Sequence, residues 1–206
     1  MRWDLFFEDL EDQLASEWEA ERAALDTEAE RLRLSRMELR SRLAAVVSHA
    51  SVEESPPPSL ELSDGSTLSA RIQALGADWL AAVPVDGARW GPTIVPLGAI
   101  RGVGLGHGDL LRSARSAERR PGLSERMTFG FVMRDVARRR VPVSVGTVSG
   151  RMLTGTIDRA GADHLDLALH EPGAPRRAGD VVGYRLVPFG GIGWVRLEGA
   201  NGVSLV

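Results

Sequence analysis

The sequence predicts an α+β protein in which a long N-terminal α-helix precedes two tandem, small five-stranded β-barrels, joined by a helical connector. Three observations lead to this fold class. Residues 3–48 contain neither glycine nor proline, three prolines follow at 56–58, and the rest of the chain repeats one β-rich pattern. The predicted segments are a helical arm (1–50), a Pro-rich linker (51–58), a first barrel (59–105), a basic helical connector (106–140), a second barrel (141–198) and a tail (199–206).

The arm is rich in Ala, Leu, Glu and Arg, which are strong helix formers. A single helix over 3–48 would be about 69 Å long, so we expect part of it to project or to pair. Trp18, Leu25 and Leu32 recur at seven-residue steps, as in a coiled coil, and Leu39 and Val46 continue the line.

The first turns of the arm present a broad apolar and aromatic face. This face is the candidate site for a protein partner or for a second copy of the chain. The alternative is that it packs on the protein's own β core. The candidate residues are Trp3, Phe6, Phe7, Leu10, Leu14 and Trp18.

In the connector, Ser124 is a suitable N-cap for a second helix. The spacing of Phe129, Val132, Met133 and Val136 predicts that one face of this helix is buried. The arginines at 138–140 follow. They fit either a helix C-terminus that the dipole favours or a contact with a polyanion.

The β-rich region contains the same unit twice. Seven of sixteen positions are identical between 65–80 and 150–165, including "GADWL" against "GADHL", and five of nine between 95–103 and 187–195. Because both blocks recur in the same order, we infer a duplication. Alternation of apolar residues and glycine bends then predict short strands in a bent barrel. They lie near 59–62, 67–75, 79–84, 93–96 and 100–103, and near 143–147, 152–159, 164–169, 182–187 and 192–197.

Each β unit resembles the SH3/Sm-like small barrels of the LSm and Hfq type. The stretch "GRMLTGTIDRAGADHLDLAL" resembles the first Sm block, and Ile100-Arg101-Gly102 resembles the second. The position that contacts a base in that family falls on Leu80 and Leu165. The chain as a whole also looks like proteins from actinobacteria. The resemblance implies RNA binding as an alternative function.

Charge is unevenly distributed. Residues 1–55 hold 14 acids and 7 arginines (net −7), and residues 112–140 hold nine arginines against three acids (net +6). A basic connector fits contacts with phosphates. The candidate RNA-binding residues are Trp79, Arg101, Arg119, Arg120, Arg138, Arg139 and Arg140.

No motif for catalysis, a cofactor or a metal stands out. The chain has no cysteine, which excludes disulfides and thiolate sites. His164 and His170 would lie about 20 Å apart on a straight strand, too far for one ion. We expect no enzyme activity and no small-molecule substrate. No signal peptide or membrane span is recognised, so we expect a cytoplasmic protein.

The sequence therefore favours a non-catalytic interaction, scaffold or regulatory protein whose N-terminal helix binds a protein partner or itself. The alternative is an RNA-binding regulator that uses the basic connector.

Overall fold

A computed structural model describes residues 2–49, 56–85, 91–115, 122–172, 177 and 179–198, with residues 2–12, 49 and 124 described by their backbone alone. Most of the predicted linker and the predicted tail at 199–206 lie outside the described residues. The chain divides into two units, Met1–Leu39 and Arg40–Val206. The helices are α1 (Arg2–Ser35), α2 (Leu39–His49), α3 (His107–Ser113) and α4 (Phe129–Arg139).

The predicted continuous helix over 3–48 is two helices. The N–H of Arg36 donates to the Arg33 carbonyl (3.3 Å) and that of Met37 to the Leu34 carbonyl (3.1 Å). These i→i−3 bonds tighten the last turn and end α1 without a glycine or a proline. The seven-residue apolar line is therefore divided, because Leu39 and Val46 belong to α2.

Ten strands form one antiparallel sheet, in the order β5-β1-β2-β3-β4-β10-β6-β7-β8-β9. The first five are β1 (Ser59–Leu62), β2 (Thr67–Leu75), β3 (Trp79–Pro84), β4 (Thr93–Pro96) and β5 (Ile100–Gly104). The second five are β6 (Pro142–Thr147), β7 (Met152–Ala160), β8 (His164–Leu169), β9 (Gly183–Pro188) and β10 (Ile192–Leu197).

The prediction of two tandem barrels is wrong, because the ten strands make a single open sheet. A separate first barrel would pair β4 with β5. Instead, β4 pairs with β10, with Ile94 opposite Val195 and Thr93 opposite Arg196. This pairing joins the two halves of the sheet, and the side chains of Ile94 and Val195 are fully buried beside it.

The repeated positions lie in equivalent elements. Gly65 (φ +83°) and Gly150 (φ +80°) occupy the β1–β2 and β6–β7 turns, where a left-handed residue favours glycine. Ile100 and Ile192 each begin the last strand of their half, after a short 3₁₀ helix. Each half therefore has the same neighbour order, with its fifth strand beside its first.

Each half packs against one helix. Leu43 of α2 is buried with Leu60, Leu80 and Val95 in the first core. The Arg40 guanidinium anchors α2 further, since it donates to the carbonyls of Gly76 (2.8 Å) and Glu125 (2.9 Å). In the second core the predicted buried face of α4 is confirmed: it comprises Phe129, Val132, Met133 and Val136.

The start of α4 differs from the prediction. Thr128, not Ser124, is the N-cap, and its hydroxyl accepts from the Phe131 N–H at 3.4 Å. The Asp78 carboxylate accepts a second orphan donor, the Phe129 N–H, at 2.6 Å. Ser124 instead begins a short 3₁₀ helix. The cap is thus partly supplied by a residue 51 positions away, which a local pattern does not reveal.

The "GADWL" motif is a close-packed turn. A Cβ on Gly76 would lie 2.0 Å from Trp79 Nε1, so only glycine leaves room for the indole. Trp79 is 1% exposed, and its Nε1–H donates to the Met127 carbonyl at 2.9 Å. In "GADHL" a Cβ on Gly161 would lie 2.7 Å from the His164 ring. The repeat therefore preserves a glycine that a ring side chain three residues later covers.

We expect Gly76→Ala to lower the free energy of unfolding by about 1–3 kcal/mol, because the new methyl group must displace a buried indole. Gly98→Ala is the matched control, since a Cβ there meets nothing within 4 Å. Urea unfolding of both variants measures the difference. Equal stability of the two variants would contradict this account of the turn.

Candidate interaction surfaces

The described part of α1 carries a line of exposed apolar side chains. The exposed fractions are 47% for Leu14, 63% for Trp18, 64% for Leu25 and 49% for Leu32. We call these four residues the α1 stripe. The structure describes no side chain for Trp3, Phe6, Phe7 and Leu10, which lie on the first turns of the same helix.

Acidic side chains surround the α1 stripe. Helix α1 contains 11 acids and four arginines, so its net charge is 11 − 4, or seven negative charges. Some of this charge is locally compensated, since Arg33 donates to both carboxylate oxygens of Glu30 (2.7 and 2.6 Å). Glu17, Glu19 and Glu21 are exposed around Trp18. The apolar α1 stripe thus has an acidic border on the surface of the helix.

The arginines at the end of α4 are held by carboxylates. Arg138 and Arg139 both pair with Asp135, the latter at 2.7 Å, and Arg140 pairs with Asp158 at 2.9 Å. Arg140 is also the helix C-cap, in the left-handed region at φ 55°. These contacts fit the helix-terminus interpretation better than the polyanion one, because a phosphate would have to compete with each pair.

Of the other four RNA-binding candidates, the structure describes Arg101 and Trp79. Arg101 is exposed on β5, whereas Arg119 and Arg120 lie outside the described residues. Trp79 is buried next to the residues that precede α4, so it has no exposed face on which a base could stack. Its indole contacts the connector at the Met127 carbonyl and not at an arginine side chain.

A cavity of about 260 Å³ lies where β10 crosses the β1–β2 turn. Its walls include Asp64, Trp194 and Arg196, with the Arg196 guanidinium 4.7 Å from the Trp194 ring centroid. The Trp194 Nε1–H donates to Asp64 at 3.1 Å. Burial lowers the pKa of Arg196 from its usual value. The sequence analysis did not predict this group of Asp64, Trp194 and Arg196. The one local signal is that Trp194 occupies the repeat position that Gly102 occupies in the first unit.

The Asp64 carboxylate is the acceptor that organises this group. It accepts from the Ser66 N–H (2.9 Å) and hydroxyl (2.6 Å) as well as from Trp194. Burial raises the pKa of Asp64, but these hydrogen bonds outweigh burial and leave the pKa below its ordinary value of 3.8. The carboxylate is therefore charged at neutral pH and stabilises the junction of β10 with the first half.

The histidines of the second half are used in local contacts. His164 Nδ1 lies 2.8 Å from the Asp163 carboxylate, and the buried His170 ring lies 2.8 Å from the Thr156 hydroxyl. No group of three or more potential metal ligands occurs within the described ranges. Over the same ranges, no helix is both long and apolar enough to cross a membrane.

Comparison of the chain with protein-family models, curated proteins and solved structures finds no match. We therefore infer the function from the exposed surfaces of the molecule itself.

We expect Asp64→Asn to lower the free energy of unfolding at pH 7 by about 1 kcal/mol, because it weakens charge-assisted hydrogen bonds. The folded pKa is lower than the unfolded one, so the carboxylate's contribution is complete above pH 3.8 and is lost as the pH falls through the folded pKa. The stability gap between wild type and variant should thus narrow in acid.

Urea unfolding across this pH range tests the expectation. Asp180→Asn, which makes the same charge change at an exposed residue, is the control. A gap for Asp64→Asn that is independent of pH would mean that its carboxylate charge is not what stabilises the junction.

Proposed function

We propose that this chain is a non-catalytic interaction protein that recruits a protein partner through the α1 stripe. The observation that carries the proposal is the row Leu14, Trp18, Leu25 and Leu32, about half or more exposed on one helix. Exposed apolar rows rimmed by polar residues are typical of helix-in-groove binding.

The charge of α1 indicates the kind of partner. Two copies of a helix with seven net negative charges would repel each other along a parallel or antiparallel seam. A groove with an apolar floor and basic rims would instead neutralise the acidic border. We therefore favour a basic protein partner over self-association of α1. The partner would place its apolar groove against Trp18 and Leu25.

RNA binding, the alternative that the sequence raises, receives less support. The three arginines at 138–140 already pair with Asp135 and Asp158. Trp79 is buried, and so provides no stacking surface. Arg101 alone among the described candidates is an exposed side chain for which no carboxylate pair is seen. A single exposed arginine is too few for a surface that binds several phosphates of an RNA backbone.

The double variant Trp18→Ala/Leu25→Ala tests the proposal. It should lower capture of the partner from source cells by more than roughly tenfold, because large buried side chains dominate interface energy. Capture by the wild-type chain should also fall as salt is raised, since the partner is basic. Quantitative affinity capture with nuclease treatment, at two salt concentrations, measures both effects.

Leu34→Ala is the matched control, because Leu34 is 42% exposed on α1 but lies outside the stripe. It should leave capture unchanged. Light scattering of the same proteins detects self-association. If the double variant lost mass but captured the same proteins, α1 would be a self-association helix and the proposal would be wrong.

A further inference from the structure

The two halves of the sheet contain the same turn in different surroundings. The first turn, Gly76–Trp79, lies between β2 and β3, and the second turn, Gly161–His164, lies between β7 and β8. The two turns are equivalent in the internal repeat, and three of their four residues are identical. The contacts of the first turn therefore indicate what kind of segment the second turn fits.

The first turn holds a segment that lies far along the chain. The Met127 carbonyl accepts two hydrogen bonds there, from the Ala77 N–H and from the Trp79 Nε1–H, both at 2.9 Å. Two residues later, the Phe129 N–H, which is the first of α4, donates to the Asp78 carboxylate at 2.6 Å. The first turn thus binds a short segment that leads directly into a helix.

An arginine from the helix that packs on each half completes the arrangement. Arg40 of α2 donates to the Gly76 carbonyl at 2.8 Å, and Arg134 of α4 donates to the Gly161 carbonyl at 3.1 Å. Arg40 also contacts the docked segment, since it donates to the Glu125 carbonyl at 2.9 Å and lies 3.7 Å from the Glu125 carboxylate. The docked segment therefore presents a glutamate, a carbonyl two residues later and the first N–H of a helix four residues later.

The second turn is exposed to solvent. Trp79 is 1% exposed, whereas the side chain of its equivalent His164 is 44% exposed. The Asp163 side chain is 90% exposed. Among the described residues, neither the Ala162 N–H nor the Asp163 carboxylate is bonded to a segment outside the turn. Arg134 is also exposed, and its guanidinium contacts no carboxylate in that part of the chain.

Histidine replaces tryptophan in the second turn, which changes one contact. His164 Nδ1 lies 2.8 Å from the Asp163 carboxylate, so Nδ1 carries the proton of a neutral ring. Such a ring has no second N–H, and the Ala162 N–H is then the donor to the carbonyl of a docked segment. We therefore expect the second turn to bind such a segment more weakly than the first turn does.

We propose that the second turn and Arg134 bind a segment of a partner protein that has the same pattern as the segment at the first turn. The segment carries an acidic residue, a Ser or Thr N-cap three positions later, and then a helix. Arg134 pairs with the acidic side chain, and the Ala162 N–H donates to the carbonyl before the cap. The Asp163 carboxylate accepts the first N–H of the helix, where it also complements the positive end of the helix dipole. This surface is independent of the α1 stripe and adds to the proposed function.

A fluorescently labelled peptide of residues 122–139 is the probe, because it contains this pattern. In the peptide, Val132, Met133 and Val136 are replaced by alanine, which removes its apolar face but retains helix propensity. Fluorescence anisotropy should show saturable binding to the full chain. Asp163→Asn and Arg134→Glu should each weaken binding by at least roughly tenfold, because each removes a contact with a charged group.

The control variants change the same charges elsewhere in the second half. Asp180→Asn and Arg151→Glu both lie at exposed positions, Arg151 being in the β6–β7 turn, and should leave peptide binding unchanged. A peptide that also carries Glu125→Arg should bind Arg134→Glu more tightly than it binds the wild-type chain. This exchange of charges distinguishes direct contact from a loss of folding, since an unfolded variant would bind neither peptide.

Three results would overturn the proposal. The first is no saturable binding at peptide concentrations up to about 1 mM. The second is wild-type affinity in both Asp163→Asn and Arg134→Glu. The third is binding lost only in Asp78→Asn or only in Trp18→Ala/Leu25→Ala, which would place the peptide at the first turn or on the α1 stripe.

Discussion

The pairing of β4 with β10 is the interaction on which the rest of the structure depends. It is short, with two opposed residue pairs and a further hydrogen bond from the Leu197 N–H to the Pro92 carbonyl at 3.1 Å. Its importance lies in what it buries. Ile94 and Val195 are fully enclosed beside it, and each such side chain contributes about 1.5–3 kcal/mol when buried. Without this pairing the sheet would be two separate five-stranded halves.

Two tryptophans also stabilise the junction, because each one packs against the core of the opposite half. Trp79 belongs to the first half but is buried in the second core, and Trp194 belongs to the second half but packs on the first core. Trp194 opposes Gly146, where a Cβ would lie 2.1 Å from the indole. At the equivalent pair of the first half the sizes are reversed, since Gly102 opposes Glu61. The two halves thus have the same strand arrangement, but their side chains differ at the positions that form the junction between them.

Much of the local structure could be predicted from the sequence. The predicted strands agree with the observed ones to within one residue, because alternation, turn glycines and the repeat are local signals. The buried face of α4 follows from its spacing for the same reason. Whether each half closes on itself or the two halves join depends on pairing between strands that are distant in the sequence. The strand β4 has the same alternation whether it pairs with β5 or with β10, so the barrels were predicted wrongly.

Other features escaped prediction because distant residues determine them. The break after Ser35 has no glycine or proline to mark it, and the burial of Leu43 and Ala45 of α2 depends on strands that are distant in the sequence. The candidate surfaces also differ in how far local sequence predicts them. Spacing alone predicts the α1 stripe, whereas the hydrogen bond from Trp194 to Asp64 joins residues 130 positions apart. The burial of Trp79 also depends on Met127 and α4.

The most direct test of the joined sheet is a cross-strand NOE measurement on the labelled chain. We predict backbone NOEs between Ile94 and Val195, and between Thr93 and Arg196, because these residues are opposed across β4 and β10. We predict none between Ile94 and Val103. NOEs that connect Ile94 to Val103, with none to Val195, would show that the first five strands close on themselves, and would contradict the account.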